Sequence, residues 1–297
     1  MTYIKQRFTI KDLEILSGIK AHTIRIWEKR YDVLSPDRTD TNIRMYDVSA
    51  LQRILNIAFL NENGYKISRI SKLNEKEVNQ LVNSISTLNS NESRAIKALK
   101  VAMFNFDQSL FIKTYDSLFE TKNFREIFQK VLMPLLNEIG TLWQTNTINP
   151  AHEHFISNLI RQKLYVNIER LQTQNPSKTD KIFVLFLPED EIHDLGLLYV
   201  TYEILSHGYK TIYLGHSLPM LDLRYLTENY ENIHFVSYFT VKPDDILGYI
   251  NEFKNEICSK VSCNYWILGR KTENLDTSTF PESIKTFKNI DQLILNL

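Results

Sequence analysis

Hydrophobic residues recur at helical spacing through roughly the first half of the chain and then change to short continuous runs. Ile10, Leu13 and Leu16 share one helix face, and Ile24 and Trp27 share another. Helices are predicted over Ile10–Leu16, Ala21–Arg30, Ser49–Asn63 and Glu75–Ser86. The stretch Ser35–Arg44, rich in Asp, Thr, Asn and Pro, reads as a polar loop, and Leu88–Glu92 reads as a linker. Between 92 and 174 the apolar positions lie three to five apart: Ala95, Leu99, Met103; Val131, Leu135, Ile139; Phe155, Leu159, Leu164. That pattern predicts a bundle of four or five helices, with Pro134 and Pro150 marking helix starts or kinks.

After the polar hinge Gln172–Thr179 the period changes. Lys181–Leu187 (KIFVLFL) is the continuous apolar run of a strand buried on both faces. Further strands are expected at Lys210–Leu214, His234–Phe239 and Tyr265–Leu268, alternating with helices at Ile192–His207, Leu221–Asn229, Asp244–Cys258 and Phe287–Leu295. Strand–helix alternation implies right-handed parallel βαβ units and a doubly wound sheet of flavodoxin-like type, with its ligand at the carboxyl ends of the strands. The fold class is therefore multidomain α and α/β, divided as 1–75, 92–174 and 180–297.

Charge refines this division. The chain is neutral overall, yet residues 1–72 hold thirteen Lys/Arg against eight Asp/Glu, a basic module on an acidic remainder. Cys258 and Cys263 are too few for a disulfide framework and read as small buried apolar residues. No apolar run is long enough to span a membrane, and no signal-peptide stretch opens the chain, so a cytoplasmic protein without membrane contact is expected.

The basic module carries a specific pattern. Gly18 breaks the first helix, and the second displays His22, Thr23, Arg25, Lys29 and Arg30 around apolar Ile24 and Trp27. A helix, a tight turn and a polar, basic second helix suit entry into a major groove. The string Thr23-Ile24-Arg25-Ile26-Trp27-Glu28-Lys29-Arg30-Tyr31, then Leu34-Ser35-Pro36-Asp37-Arg38, then Arg44-Met45-Tyr46 resembles the signature of the mercury-resistance-regulator (MerR) family over residues 8–70. The resemblance implies a winged helix-turn-helix that binds a double-stranded DNA operator as a dimer. Thr23, Arg25 and Tyr31 would lie at or near the groove. Arg30, Arg38 and Arg44 would contact the backbone, the wing running Arg38–Arg44, and Trp27 would belong to the core.

A second pattern follows the first buried strand. Glu191-Ile192-His193-Asp194-Leu195-Gly196 resembles the Asp/Glu-x-His-x-x-Gly motif of cobalamin-binding domains. By that resemblance His193 displaces the cofactor's own base and becomes the lower axial ligand of cobalt. Glu191 holds the other imidazole nitrogen, and Gly196 lets the nucleotide tail pass. Gly215, Ser237 and Gly269 fall at the fold's strand-end loops, while Phe239 and Arg270 depart from the family's Ser-x-Leu and Gly-Gly patterns. Trp143 followed ten residues later by Glu153-His154 resembles the motif with which B12-dependent photoreceptor repressors of the CarH/LitR type cover the upper face of adenosylcobalamin. Read without that likeness, Trp143 is a core aromatic, and His152 and His154 form a polar helix face. Gln144 stands where those photoreceptors can carry a cobalt-binding His.

The resemblance implies a transcriptional regulator, a repressor rather than an enzyme. Its dimeric or tetrameric state and operator binding would be controlled by a bound cobalamin, adenosylcobalamin foremost, with a response to light. The alternative is a B12-independent regulator that keeps the fold and answers to a protein partner.

Overall fold

The computed structural model describes residues 7–86, 91–144, 148–258, 263–273, 275–277 and 280–297. It divides into two compact units, one extending to Leu159 and the other running Ile160–Leu297.

The first unit opens on β1 (Phe8–Thr9), α1 (Ile10–Ser17) and α2 (Ala21–Tyr31). Thr9 starts α1 with a reciprocal capping box: its hydroxyl accepts from the Asp12 amide, and the Asp12 carboxylate accepts from the Thr9 amide at 2.7 Å. Glu14 then accepts from the Ala21 amide at 3.2 Å, tying α1 to the open end of α2. The expected polar loop contains a hairpin, β2 (Asp37–Arg38) and β3 (Arg44–Tyr46), and β3 lies between β1 and β2 in an antiparallel sheet. Strands of two and three residues are too short to show an alternating pattern, which is why the sequence reads there only as turn formers. Then come α3 (Val48–Glu62), α4 (Ile67–Ile70) and α5 (Glu75–Ser86). Phe8, Leu13, Ile24, Trp27 and Ile54 form part of the buried core here.

The bundle comprises α6 (Asn91–Asn105), α7 (Gln108–Phe119), α8 (Phe124–Ile127), a π-helical turn at Phe128–Leu132, α9 (Met133–Gln144) and α10 (Pro150–Gln172), the last continuing into the second unit. Pro150 is the first residue of α10, where its missing N–H costs nothing. Pro134 is the second residue of α9, just beyond the π-turn, where its missing N–H would otherwise interrupt the regular ladder.

The second unit alternates β4 (Lys178–Pro188), α11 (Leu195–Ser206), β5 (Tyr209–Leu218), α12 (Arg224–Asn229), β6 (Ile233–Tyr238), α13 (Ile246–Glu256), β7 (Asn264–Leu268), β8 (Ile284–Phe287) and α14 (Ile290–Ile294). The five strands are parallel in the order β5-β4-β6-β7-β8, the flavodoxin-like arrangement with its switch point between β4 and β6. Along β4, Phe183, Leu185 and Leu187 pack toward α11 and α14, while Val184 and Phe186 pack with residues of α12 and α13. Both faces of this strand are therefore covered.

Three expectations for this unit are corrected. The helix predicted at Phe287–Leu295 is the shorter α14, and the segment before it is a strand, β8, that reaches Phe287, because Ile284 and Phe287 complete the two core faces beside β7. The helix expected from Ile192 begins at Leu195, because Glu191 to Asp194 are drawn into side-chain bonds that hold them out of the helix. Cys258 and Cys263 are joined as a disulfide, with Cα atoms 5.5 Å apart, rather than standing as separate thiols. Among the described residues, no helix is long and apolar enough to cross a membrane.

Candidate functional site

The candidate DNA-reading surface is built on α2. Ile24 and Trp27 turn inward, which leaves Arg25, Lys29 and Arg30 exposed along the opposite side, with Thr23 and Tyr31 half-buried. The Arg30 guanidinium lies 5.4 Å from the Tyr31 ring centre. On the wing, Arg38 is exposed and donates to the Asn42 side chain. Arg44 is placed differently from Arg38. Its Nε donates to the Glu28 carboxylate at 3.1 Å, and the Tyr46 hydroxyl donates to the other oxygen of the same group. Glu28 is nearly buried, at 8% exposure. Burial, followed by this bond to Glu28, pushes the Tyr46 phenol well above its ordinary range. Arg44 thus ties the wing to α2, a role that a search for basic residues alone does not reveal.

In the bundle, Glu153 and His154 occupy the first turns of α10. Glu153 accepts from the Ser157 hydroxyl at 2.7 Å, and His154 is 72% exposed. His152 corrects the polar-face reading: it is buried, its ring stacked on Phe106 with centres 4.8 Å apart and set 5.1 Å from Phe104. Trp143 and Gln144 fall at the end of α9, and their side chains lie outside the described residues.

The third constellation sits at the sheet's switch point, where β4 ends. Glu191 is fully buried. Its Oε1 accepts from the His193 amide at 3.0 Å and contacts His193 Nδ1 at 2.6 Å. Its Oε2 accepts from the amides of Thr240, Val241 and Lys242 at 3.2, 2.6 and 2.8 Å, in the loop after β6. Burial alone would raise this carboxyl's pKa, but bonds from His193, Lys242 and Val241 outweigh it and hold the pKa at about 2. An ionised carboxylate only accepts, so Nδ1 carries the proton, and in the neutral ring the lone pair resides on Nε2. His193 is 52% exposed. A neutral imidazole oriented by a buried carboxylate is the donor that suits a cobalt ion, and in that respect these residues fit a corrinoid's lower face.

One residue on, Asp194 is 4% exposed and accepts a forked bond from Arg161 of α10, with Nη2 at 2.8 Å and Nε at 3.1 Å. The sequence motifs do not flag this pair; its only signal there is an Arg on a largely apolar helix face. Arg161 stays protonated beyond its ordinary range: burial works against its charge, and Asp194 more than compensates.

The glycines and Ser237 are placed as follows. Gly196 opens α11 beneath the Tyr238 ring, and a Cβ there would lie 2.8 Å from that ring. Ser237 is fully buried and accepts from the Tyr265 hydroxyl at 3.1 Å. Gly269, at φ +118°, lets the β7 end approach the Phe239 backbone, where a Cβ would meet the carbonyl oxygen at 2.4 Å. Gly215 sits in β5 at a register shift opposite Phe186.

Two stretches of the chain match known families. Residues 8–77 match the MerR HTH family of regulatory proteins, and residues 95–166 match the B12 binding domain family. The chain is 27% identical over 217 residues to the HTH-type transcriptional repressor CarH of Myxococcus xanthus, covering 70% of each chain. It is 24% identical over 223 residues to the HTH-type transcriptional repressor CarA of the same organism, covering 72% of this chain and 70% of that one. In fold it is similar to the monomethylamine corrinoid protein of Methanosarcina barkeri, with a TM-score of 0.55, 14% identity, and coverage of 69% of this chain and 97% of that one. At that identity the likeness speaks for the fold alone. The winged helix-turn-helix, the matched bundle and the parallel sheet together make the chain a MerR-type DNA-binding regulator that carries a B12 binding domain.

Proposed function

We propose that the chain is a transcriptional repressor whose self-association and operator binding are set by a cobalamin held through His193. The observation that carries this reading is the buried Glu191 carboxylate, which fixes the His193 ring for metal ligation and joins the loops after β4 and β6 at the switch point. Few structural needs call for a fully buried carboxylate to hold a half-exposed imidazole.

In this reading residues 1–75 read DNA, 92–174 cover the cofactor and 180–297 hold it. Thr23, Arg25 and Tyr31 face the groove, and Arg30 and Arg38 contact phosphates. Arg44 supports the wing through Glu28. By the likeness to the photoreceptor repressors, His193 would hold the cobalt, and Trp143, Glu153 and His154 would sense the adenosyl group of adenosylcobalamin. A bound cobalamin would supply a cobalt centre whose ligation responds to light or redox state. A cofactor that binds one assembly state better than another shifts the balance between them. A homodimer or tetramer would place several reading heads on one operator.

The test is gel filtration of the purified chain with adenosylcobalamin in the dark, followed by operator gel-shifts before and after illumination. Corrin absorbance travelling with a larger species that binds DNA supports the proposal, and operator binding should fall steeply with salt. Loss of all corrin absorbance on the column refutes the sensor role. A second reading, a B12-independent regulator answering to a protein partner, is favoured by one feature, the Tyr238 ring over Gly196. Operator release unchanged in His193→Ala would select it.

A further inference from the structure

The lower-ligand pair and the space beside it do not ask for the same ligand. A cobalamin whose own base is displaced by a protein histidine must place that base and its nucleotide elsewhere. The positions next to His193 are Gly196, at the start of α11, and the ends of β4 and β6. All of them are filled from within the chain. Tyr238, the last residue of β6, packs with the core that α11 closes, and its ring lies so near Gly196 that even a methyl group there would overlap it. On the other side of the sheet, Ser237 is turned to the Tyr265 hydroxyl, and Phe239 is fully buried, edge-on to Tyr249 at 5.8 Å. Gly269 is consumed by its approach to the Phe239 backbone, and the next residue, Arg270, is exposed. The space beside Gly196, between α11 and the end of β6, is therefore taken by an aromatic side chain of the protein.

We propose that Tyr238 is the specificity-determining residue of this site: its ring takes the place of an inserted nucleotide base. The chain holds a corrinoid by its ring and by His193, and leaves the nucleotide outside. This rests on the cobalamin reading above and narrows it to a ligand class, corrinoids recognised without their tail. Moving the half-buried Tyr238 would strip its ring from Gly196 and the α11 core, so a tail gains little by entering, whereas an untailed corrinoid needs no such rearrangement.

The test compares dissociation constants of the full chain for adenosylcobalamin and adenosylcobinamide, which lacks the nucleotide, in the dark. The wild type should bind adenosylcobinamide at least as tightly as adenosylcobalamin, within about threefold. Tyr238→Ala should move that ratio tenfold or more toward adenosylcobalamin, and Tyr238→Phe, which keeps the ring, should leave it where the wild type has it. Far-UV circular dichroism and melting of the unliganded variants check that each is folded. If Tyr238→Ala does not fold, the wild-type ratio with Tyr238→Phe decides alone. A wild-type preference for adenosylcobalamin of tenfold or more overturns the inference, as does a ratio unmoved in a folded Tyr238→Ala. Failure of both corrinoids to bind overturns the sensor reading itself and this inference with it.

Discussion

Replacing Glu191 by Gln removes one charge while keeping shape and volume. The wild-type carboxyl sits near pKa 2 against an ordinary 4.5, a difference that corresponds to about 3 kcal/mol favouring the folded, ionised form. Because the folded pKa is depressed, that stabilisation is fully present above about pH 4.5 and is lost as pH falls toward 2. The side-chain amide that replaces the carboxylate also presents a donor to the His193 N–H and Nδ1 if its oxygen keeps the three loop amides. Urea unfolding followed by near-UV circular dichroism should show a gap of about 3 kcal/mol between wild type and Glu191→Gln at pH 7, roughly 1–2 M in midpoint. Hydrogen exchange should locate the loss at the amides of Thr240, Val241 and Lys242. Most other carboxyls titrate alike in both proteins, so the gap should shrink to near zero as the pH approaches 2. Equal midpoints at pH 7, or a gap that persists undiminished in acid, would refute the account of Glu191 as a charged keystone.

Two further outcomes follow from single ion pairs. Arg161→Ala leaves the buried Asp194 charge without its fork and should cost about 2–3 kcal/mol, with faster hydrogen exchange at residues 189–194; Arg161→Lys should restore only part of it, since a lysine cannot reproduce the two-nitrogen contact. Glu28→Ala strands Arg44 and the Tyr46 hydroxyl, and should lower the stability of the helix-turn-helix by about 2 kcal/mol while weakening operator binding. A melting temperature identical to wild type would remove Glu28 as the tie between wing and helix.

Long periodic segments were legible in the sequence, and so was the loop chemistry of Glu191 and His193. The run Lys181–Leu187 declares a strand covered on both faces because nothing polar interrupts it. The orienting bond between Glu191 and His193 was legible only through the likeness of their motif to cobalamin-binding domains, and the structure makes it at 2.6 Å. Short pieces were not legible. β8 has only four residues, and Lys285 and Thr286 between its two core residues hide the alternation. His152 reads as polar because a histidine's burial depends on the aromatic partners that meet it, here Phe104 and Phe106 from elsewhere in the bundle. The disulfide between Cys258 and Cys263 and the pairing of Arg44 with Glu28 depend on where the chain returns. Tyr238 is the sharpest case. Alternation along β6 can assign its side of the sheet but not the neighbour it covers, and only the fold brings it over Gly196.

The bond network of Arg44, Tyr46 and Glu28 bears on how such a protein can be switched at all. A wing keyed to the recognition helix by a nearly buried carboxylate works like the fixed bit of a key: its profile is cut once, at folding. A signal arriving elsewhere in the chain then has little purchase on which bases are read. On the assembly control proposed above, it is left with arithmetic, the number of keys brought to the lock and the distance between them.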